Sequence, residues 1–176
     1  MQGFVFYQFQ EYVQQSFGLD VWSELIEEVG VQGKNYTLFT HYPTAEFKAL
    51  VQSLSKHTKR PFQDILEDFG IYAAPKVWQV CKEMIPSRWS LTDLLLNITD
   101  FTHHLLARAV SGTHKLFPIR SEKTSQDEIT LHYELPHTMC AMSKGLIRGL
   151  ATLYGTKIAI TESDCQVIFS ILRNPS

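Results

Sequence analysis

Glu128-Ile-Thr-Leu-His-Tyr-Glu-Leu135 decides the fold of this 176-residue chain, because here the hydrophobic pattern changes its period. Ile129, Leu131, Tyr133 and Leu135 alternate with Thr130, His132 and Glu134, which is the two-residue repeat of a strand with one face buried. Phe117 to Arg120 reads as a shorter partner strand. Downstream, a helix over roughly 139 to 154 carries Leu146, Leu150 and Leu153. Its Gly145 and Gly149 allow another element to approach closely, and Gly155 ends it. Lys157 to Thr161 and Cys165 to Leu172 alternate as two more strands, joined by Glu162-Ser163-Asp164.

Upstream of Ser111-Gly112 every apolar repeat is helical. Phe6, Phe9, Val13 and Phe17 form the stripe of a helix over about 3 to 17, stopped by Gly18. Val21, Trp22, Leu25, Ile26 and Val29 form the next, with Asp20 placed to cap it and Gly30 to end it. Tyr36 to Phe39 reads as a short extended piece. A third helix starts at Pro43-Thr44, with Thr44 as cap and Phe47, Leu50, Val51 and Leu54 facing inward. Arg60-Pro61 opens a fourth through Phe62, Ile65, Leu66 and Phe69, and Gly70 and Pro75 predict a bend or break between Phe69 and Lys76 before helicity resumes at Val77, Val80 and Cys81. The expected fold class is α+β: a helical amino-terminal part about 1–60, then a part about 61–172 in which one helix packs on an antiparallel sheet, forming a single domain over 1–176.

The helix beginning near Ser90 carries two adjacent histidines. Leu91, Leu94, Leu95, Ile98, Thr102, Leu105, Leu106 and Ala109 share its core face. His104 falls opposite, beside Asn97, Asp100 and Arg108. His103 falls on the flank of the apolar stripe, where a buried neutral imidazole suits an axial metal ligand. Periodicity alone leaves a hydrogen-bonded helix histidine open as the alternative.

Composition narrows the class. At 44% hydrophobic and 12% aromatic residues the chain is globular. A net charge of −2, without a basic run interleaved with aromatics, argues against nucleic acid. No apolar run predicts a membrane span, and the amino terminus lacks the basic start of a secretory signal. Cys81, Cys140 and Cys165 form neither a disulfide framework nor a CxxC site, which fits a reducing cytoplasm. No nucleophile–base pair, phosphate loop or HExxH is present, and Glu24, Glu27 and Glu28 read as a solvated helix face, so an enzyme is not expected.

Met1-Gln-Gly-Phe-Val-Phe6, Phe17-Gly-Leu-Asp-Val-Trp22, Phe69-Gly70, His103, Leu131-His-Tyr133 and Gly145-Leu-Ile-Arg-Gly149-Leu150 together resemble the H-NOX (HNOB) domain, a heme-based nitric oxide and oxygen sensor family, over essentially the whole chain. The resemblance implies heme b between a helical distal part and a sheet-containing proximal part. It implies His103 as axial ligand of the heme iron, and Val5, Phe9, Ala73, Val77, Met142 and Leu146 around the sixth coordination position. Met142 stands where oxygen-binding relatives have a tyrosine donor, so the resemblance implies NO, and also CO, in preference to O₂. It further implies a bacterial signalling protein whose partner is a histidine kinase or a cyclic-di-GMP enzyme, signalled through rupture or weakening of the Fe–His103 bond.

The chain departs from the family at its propionate clamp. Where the family has Tyr-x-Ser-x-Arg, this sequence reads Tyr133-Glu134-Leu135-Pro136-His137. Leu135 cannot donate, and His137 lacks the guanidinium fork. Tyr133 and His137 remain as the propionate region, with Arg148 and Lys144 as outlying cations. The alternative function is a heme-free H-NOX-like interaction module binding another small ligand. Cys140 and Cys165 match two of the four cysteines of a zinc site found in some bacterial members, without the other two, so zinc is not expected.

Overall fold

A computed structural model describes the chain except residues 39, 99–118, 126–127, 134–136, 164–165 and 172–176, with backbone alone at 119, 133, 137–139, 162–163, 166–167, 169 and 171. The chain divides inside one helix into two compact units, Met1–Phe69 and Gly70–Ser176.

The first unit is helical: α1 (Gly3–Phe17), α2 (Leu19–Val29), α3 (Thr44–Thr58) and the opening turns of α4 (Phe62–Cys81). Its core is aromatic. Phe6, Phe9 and Phe47 are fully buried, and Phe9 packs edge-on against both Phe47 and Phe69 at 5.2 Å. The expected inward residues of α3, Phe47, Leu50, Val51 and Leu54, are all buried.

The expected side-chain caps are not used. Asp20 lies inside the first turn of α2, whose cap position is Gly18, and Thr44 is the first helical residue after Pro43. Nor is Tyr36 to Phe39 a strand: the described part is loop, and it caps α1 instead. Gly3 N–H donates to the Thr40 carbonyl at 2.7 Å and Phe4 N–H to the Leu38 carbonyl at 3.0 Å, satisfying two of the donors a helix start leaves open. The Met1 amine reaches the Tyr42 carbonyl at 2.8 Å. Glu46 ties the loop to α3, accepting from Lys34 Nζ at 2.6 Å and from the Tyr36 hydroxyl at 2.7 Å.

In the second unit α4 continues through Cys81 with Pro75 inside it, so of the expected bend or break before Lys76, a break does not occur. A proline lacks the N–H that the carbonyl four residues earlier would accept, here that of Ile71. Helix α6 (His137–Leu153) runs past this point. A Cβ at Gly149 would lie 3.0 Å from the Ile71 oxygen and 2.3 Å from Ala74 Cβ. One at Gly70 would lie 2.2 Å from the Met142 carbonyl oxygen. The two helices therefore meet backbone to backbone, a separation that only hydrogen side chains permit. Ala73, Ala74 and Cys81 are all buried, and their packing offsets the local cost of the proline.

A short 3₁₀ turn (Lys82–Met84) leads to α5 (Leu91–Leu96); the rest of the helix expected from Ser90 onward, with His103 and His104, lies outside the described residues from 99 to 118. The Ser90 hydroxyl accepts from Asp93 N–H at 3.2 Å while Asp93 accepts from Ser90 N–H at 2.9 Å, a complete capping box. Leu91, Leu94 and Leu95 are buried, as the wheel requires.

Strands β1 (Ile119–Lys123), β2 (Glu128–Tyr133), β3 (Ile158–Ser163) and β4 (Gln166–Ile171) form an antiparallel sheet in the order β1-β2-β4-β3. β1 is described from Ile119, the expected start at Phe117 lying outside the described residues, and β3 runs through Glu162 and Ser163, which were expected in the turn. Ile129 and Leu131 of β2 pack with Leu91 and Leu95 of α5 and Ile147 and Ala151 of α6, so the alternating stretch is a strand with that face in the core, while Thr130 on the other face, expected to be solvent-facing, is buried too. Among the described residues no helix is long and apolar enough to cross a membrane.

Candidate heme and gas site

His103 and His104 lie outside the described residues, as do Leu135 and Cys165. The described segment before the two histidines is α5, with the Ser90 cap, three buried leucines, an end at Leu96, and the Ser121 hydroxyl of β1 donating to the Leu96 carbonyl at 2.9 Å. α5 is thereby tied to the sheet.

The α4 and α6 positions assigned to the sixth-coordination wall occur at the crossing of those helices. Met142 O and Leu146 N are the atoms nearest Gly70. Ala73 is buried, while Val77, Met142 and Leu146 are half-buried. Val77 also packs on the Cys81, Ile85 and Leu94 cluster, so part of its surface belongs to the core. None of these four side chains has an N–H or O–H donor. In the first unit, Phe9 is wholly enclosed by Phe47, Phe69 and Tyr12, and Val5 is half-buried on the same helix.

The α4 and α6 side chains fit the apolar faces of a heme, whose contact area is mostly hydrocarbon. At the propionate edge, Tyr133 is the last residue of β2 and His137 the first of α6. The residues present there retain one of the family's three clamp members, so the fit rests on the apolar contact and the axial ligand more than on the clamp. Cys140 is buried. Burial pushes the Cys81 thiol up to about 11, which keeps it protonated and inert near neutrality. Among the described residues no three His, Cys, Asp or Glu side chains are grouped to hold a metal ion.

Among the described residues two buried side-chain polar atoms have no hydrogen-bond partner, Gln8 Oε1 and the Tyr154 hydroxyl. Tyr154 stacks edge-on with Trp78 at 5.1 Å, and burial, followed by the charge of Asp93, raises its pKa. Gln8 is 8% exposed. An unpaired buried amide costs about 1–3 kcal/mol, so its retention is a feature to explain. Reading the apolar stripe of α1 passed over it. The available signal was a polar residue three positions after Val5 on a helix whose other inward residues are apolar or aromatic.

An all-helical unit and a unit with two helices packed on a four-stranded antiparallel sheet, with glycine-mediated crossing of α4 and α6 beside α5, define an H-NOX-type α+β protein. The chain matches the Haem-NO-binding (HNOB) family model over residues 2–162, and it belongs to that family. Solved structures share its fold. An H-NOX protein from S. oneidensis in the Fe(II)NO ligation state aligns with a TM-score of 0.89 at 23% identity, over 98% of this chain and 100% of its own. A Shewanella oneidensis H-NOX domain in the Fe(II)CO state gives 0.86 at 22% identity over 99% and 100%. A single-residue mutant of T. tengcongensis H-NOX gives 0.83 at 18% identity over 99% of each. No curated protein matches the sequence. Heme-based gas sensing is the general function of the family.

Proposed function

We propose that this chain is an NO-selective heme sensor without enzymatic activity, acting in the bacterial cytoplasm on a separate partner, a histidine kinase or a cyclic-di-GMP enzyme. The observation that carries the selectivity is the donor-free wall of Ala73, Val77, Met142 and Leu146. Bound O₂ accumulates negative charge on its outer atom and is held by a hydrogen-bond donor, which the Met142 thioether does not supply; NO and CO do not depend on one.

Heme b, when bound, supplies the coordination position for the gas. The chain supplies the rest. His103 would hold the iron, Tyr133 and His137 would serve the carboxylates, and the α4 and α6 side chains would exclude water. Weakening of the His103 bond would release the residues around it, while the Ser90 cap and Leu91, Leu94 and Leu95 hold α5 to the sheet. Such a shift is limited by the difference in gas affinity between the two states.

Replacing His103 by Gly should abolish the five-coordinate ferrous spectrum, while His104→Ala should leave it intact. Loss of heme from the His104 variant instead would overturn the assignment. The altered clamp at Leu135 and His137 favours one second reading, a heme-free module of the same fold; in that case neither histidine affects ligand behaviour, and purified protein supplied with heme shows no Soret band.

A further inference from the structure

We propose that Asn97 and Ser121 are positioning residues of the axial ligand: they end α5 at Leu96 and pin that end to β1, so that the segment carrying His103 departs from a point fixed by the sheet. The proposal rests on the sensor reading above and deepens it, by naming what sets the strain on the bond that the gas weakens.

Its basis lies wholly within the second unit. A helix leaves its last four carbonyls without partners, and α5 has two of them taken by side chains. The Asn97 amide Nδ2 donates to the Asp93 carbonyl at 2.8 Å, beside the Asn97 N–H at 3.1 Å, and the Ser121 hydroxyl donates to the Leu96 carbonyl at 2.9 Å. Asn97 itself, at φ −103° and ψ 14°, leaves the helical range, and the backbone is helical again at Ile98. The break falls at Asn97. Before it, α5 is held along its length: the Ser90 box fixes its start, Leu91 and Leu95 pack with Ile129 and Leu131 of β2, and Leu94 packs with Cys81 and Ile85. Ser121 pairs with Leu131 in the sheet register, which puts it on the core-facing side of β1, where a hydroxyl requires an acceptor. The Leu96 carbonyl is that acceptor. His103 follows in the same stretch of sequence. A ligand whose support is fixed by the protein meets its metal at a distance and tilt that the support sets, and freeing the support lets the bond relax toward its own preferred geometry. Asn97 and Ser121 thus hold the bond to His103 short of its full strength.

The test uses the full chain, wild type, Ser121→Ala, Ser121→Thr and Asn97→Ala, loaded with heme and reduced. Resonance Raman of the iron–histidine stretch should give a higher frequency in Ser121→Ala and Asn97→Ala than in wild type, while Ser121→Thr, which keeps the hydroxyl, should match wild type. After addition of NO, the ratio of protein that keeps the histidine bond to protein that loses it should rise about five-fold in Ser121→Ala, the effect of one net hydrogen bond. Hydrogen exchange of the heme-free chains gives a readout that needs no heme. Exchange just after Leu96 should be faster in Ser121→Ala, with Leu91–Leu96 unchanged, because the buried leucines still hold α5. An unchanged iron–histidine frequency, or faster exchange spread through Leu91–Leu96, overturns the proposal and leaves Ser121 a clamp on α5 alone. Absence of a Soret band in the wild type overturns the sensor reading first, and the proposal with it. If Ser121→Ala fails to fold, Asn97→Ala gives the same readouts.

Discussion

The two units reach closure by opposite means. Met1–Phe69 closes with large side chains: Phe6, Phe9, Phe47 and Phe69 fill its centre, and a loop supplies carbonyls to the open end of α1. Gly70–Ser176 closes its helix pair by removing side chains, with Gly70 and Gly149 bringing α4 and α6 into backbone contact. A ring-filled core has little room for an added ligand. A helix crossing built on glycines leaves the adjoining Val77, Met142 and Leu146 half-buried, and these are three of the six side chains that resemblance assigns to the gas site, with Ala73, Val5 and Phe9.

The contrast is broken most severely in the first unit. Phe9→Ala should cost about 3–5 kcal/mol, because the ring's three aromatic neighbours cannot all collapse into the space. Urea unfolding measures it, and a cost under about 1 kcal/mol would show that the ring is a pocket wall and not core. In the second unit the damage comes from adding atoms. Gly70→Ala and Gly149→Ala should each cost about 1–3 kcal/mol, since the new methyl meets helix atoms. The double variant should cost less than the sum, because one separation of the helices accommodates both. Full additivity would mean that the two contacts are independent.

Glu46→Gln sharpens the loop side of the comparison. Glu46 accepts from Lys34 and Tyr36, so the change should cost about 1.5 kcal/mol in chemical denaturation. Burial, the hydrogen bond to Glu46 and that carboxylate's charge together raise the Tyr36 pKa, and in Glu46→Gln a phenol titration should move back down.

The smallest effect is acidic. Hydrogen bonds from the Ser90 hydroxyl and N–H hold Asp93 below its ordinary 3.8, and those from Ser53, then Lys56, hold Glu28 below 4.5. Carboxylates with lowered folded pKa values contribute stability that is fully present above the ordinary values and is lost as pH falls through the folded ones. The Tm should therefore be steady from neutrality down to about pH 4.5 and fall below it, with a shallower fall in Asp93→Asn. An identical acid profile in that variant would remove the capping box from the account.

Much of the fold was legible because helix and strand periods are local. The buried stripes of α1 and α3, the capped start at Ser90 and the alternation through Ile129 and Leu131 needed only spacing. Capping was less legible, since Asp20 and Thr44 are typical cap residues and the carbonyls that cap α1 come from a loop some 35 residues away. Pro75 misled for a similar reason. Its local cost is real, but packing of Ala73, Ala74 and Cys81 outweighs it. The site was legible only through resemblance, because Met142 and Leu146 obey the same periodicity whether they line a cavity or fill a core. Gln8 stood apart only once its burial and its missing partner were known.

The central claim is that this fold, with its altered propionate clamp, carries a heme on His103 that responds to NO. The most direct test is the visible spectrum of the protein produced with ample heme, reduced anaerobically and then exposed to NO. A Soret band that shifts on NO addition is the expected result. A folded protein with no Soret band would contradict the claim and show that replacing the family's Ser and Arg with Leu135 and His137 has cost the site its heme.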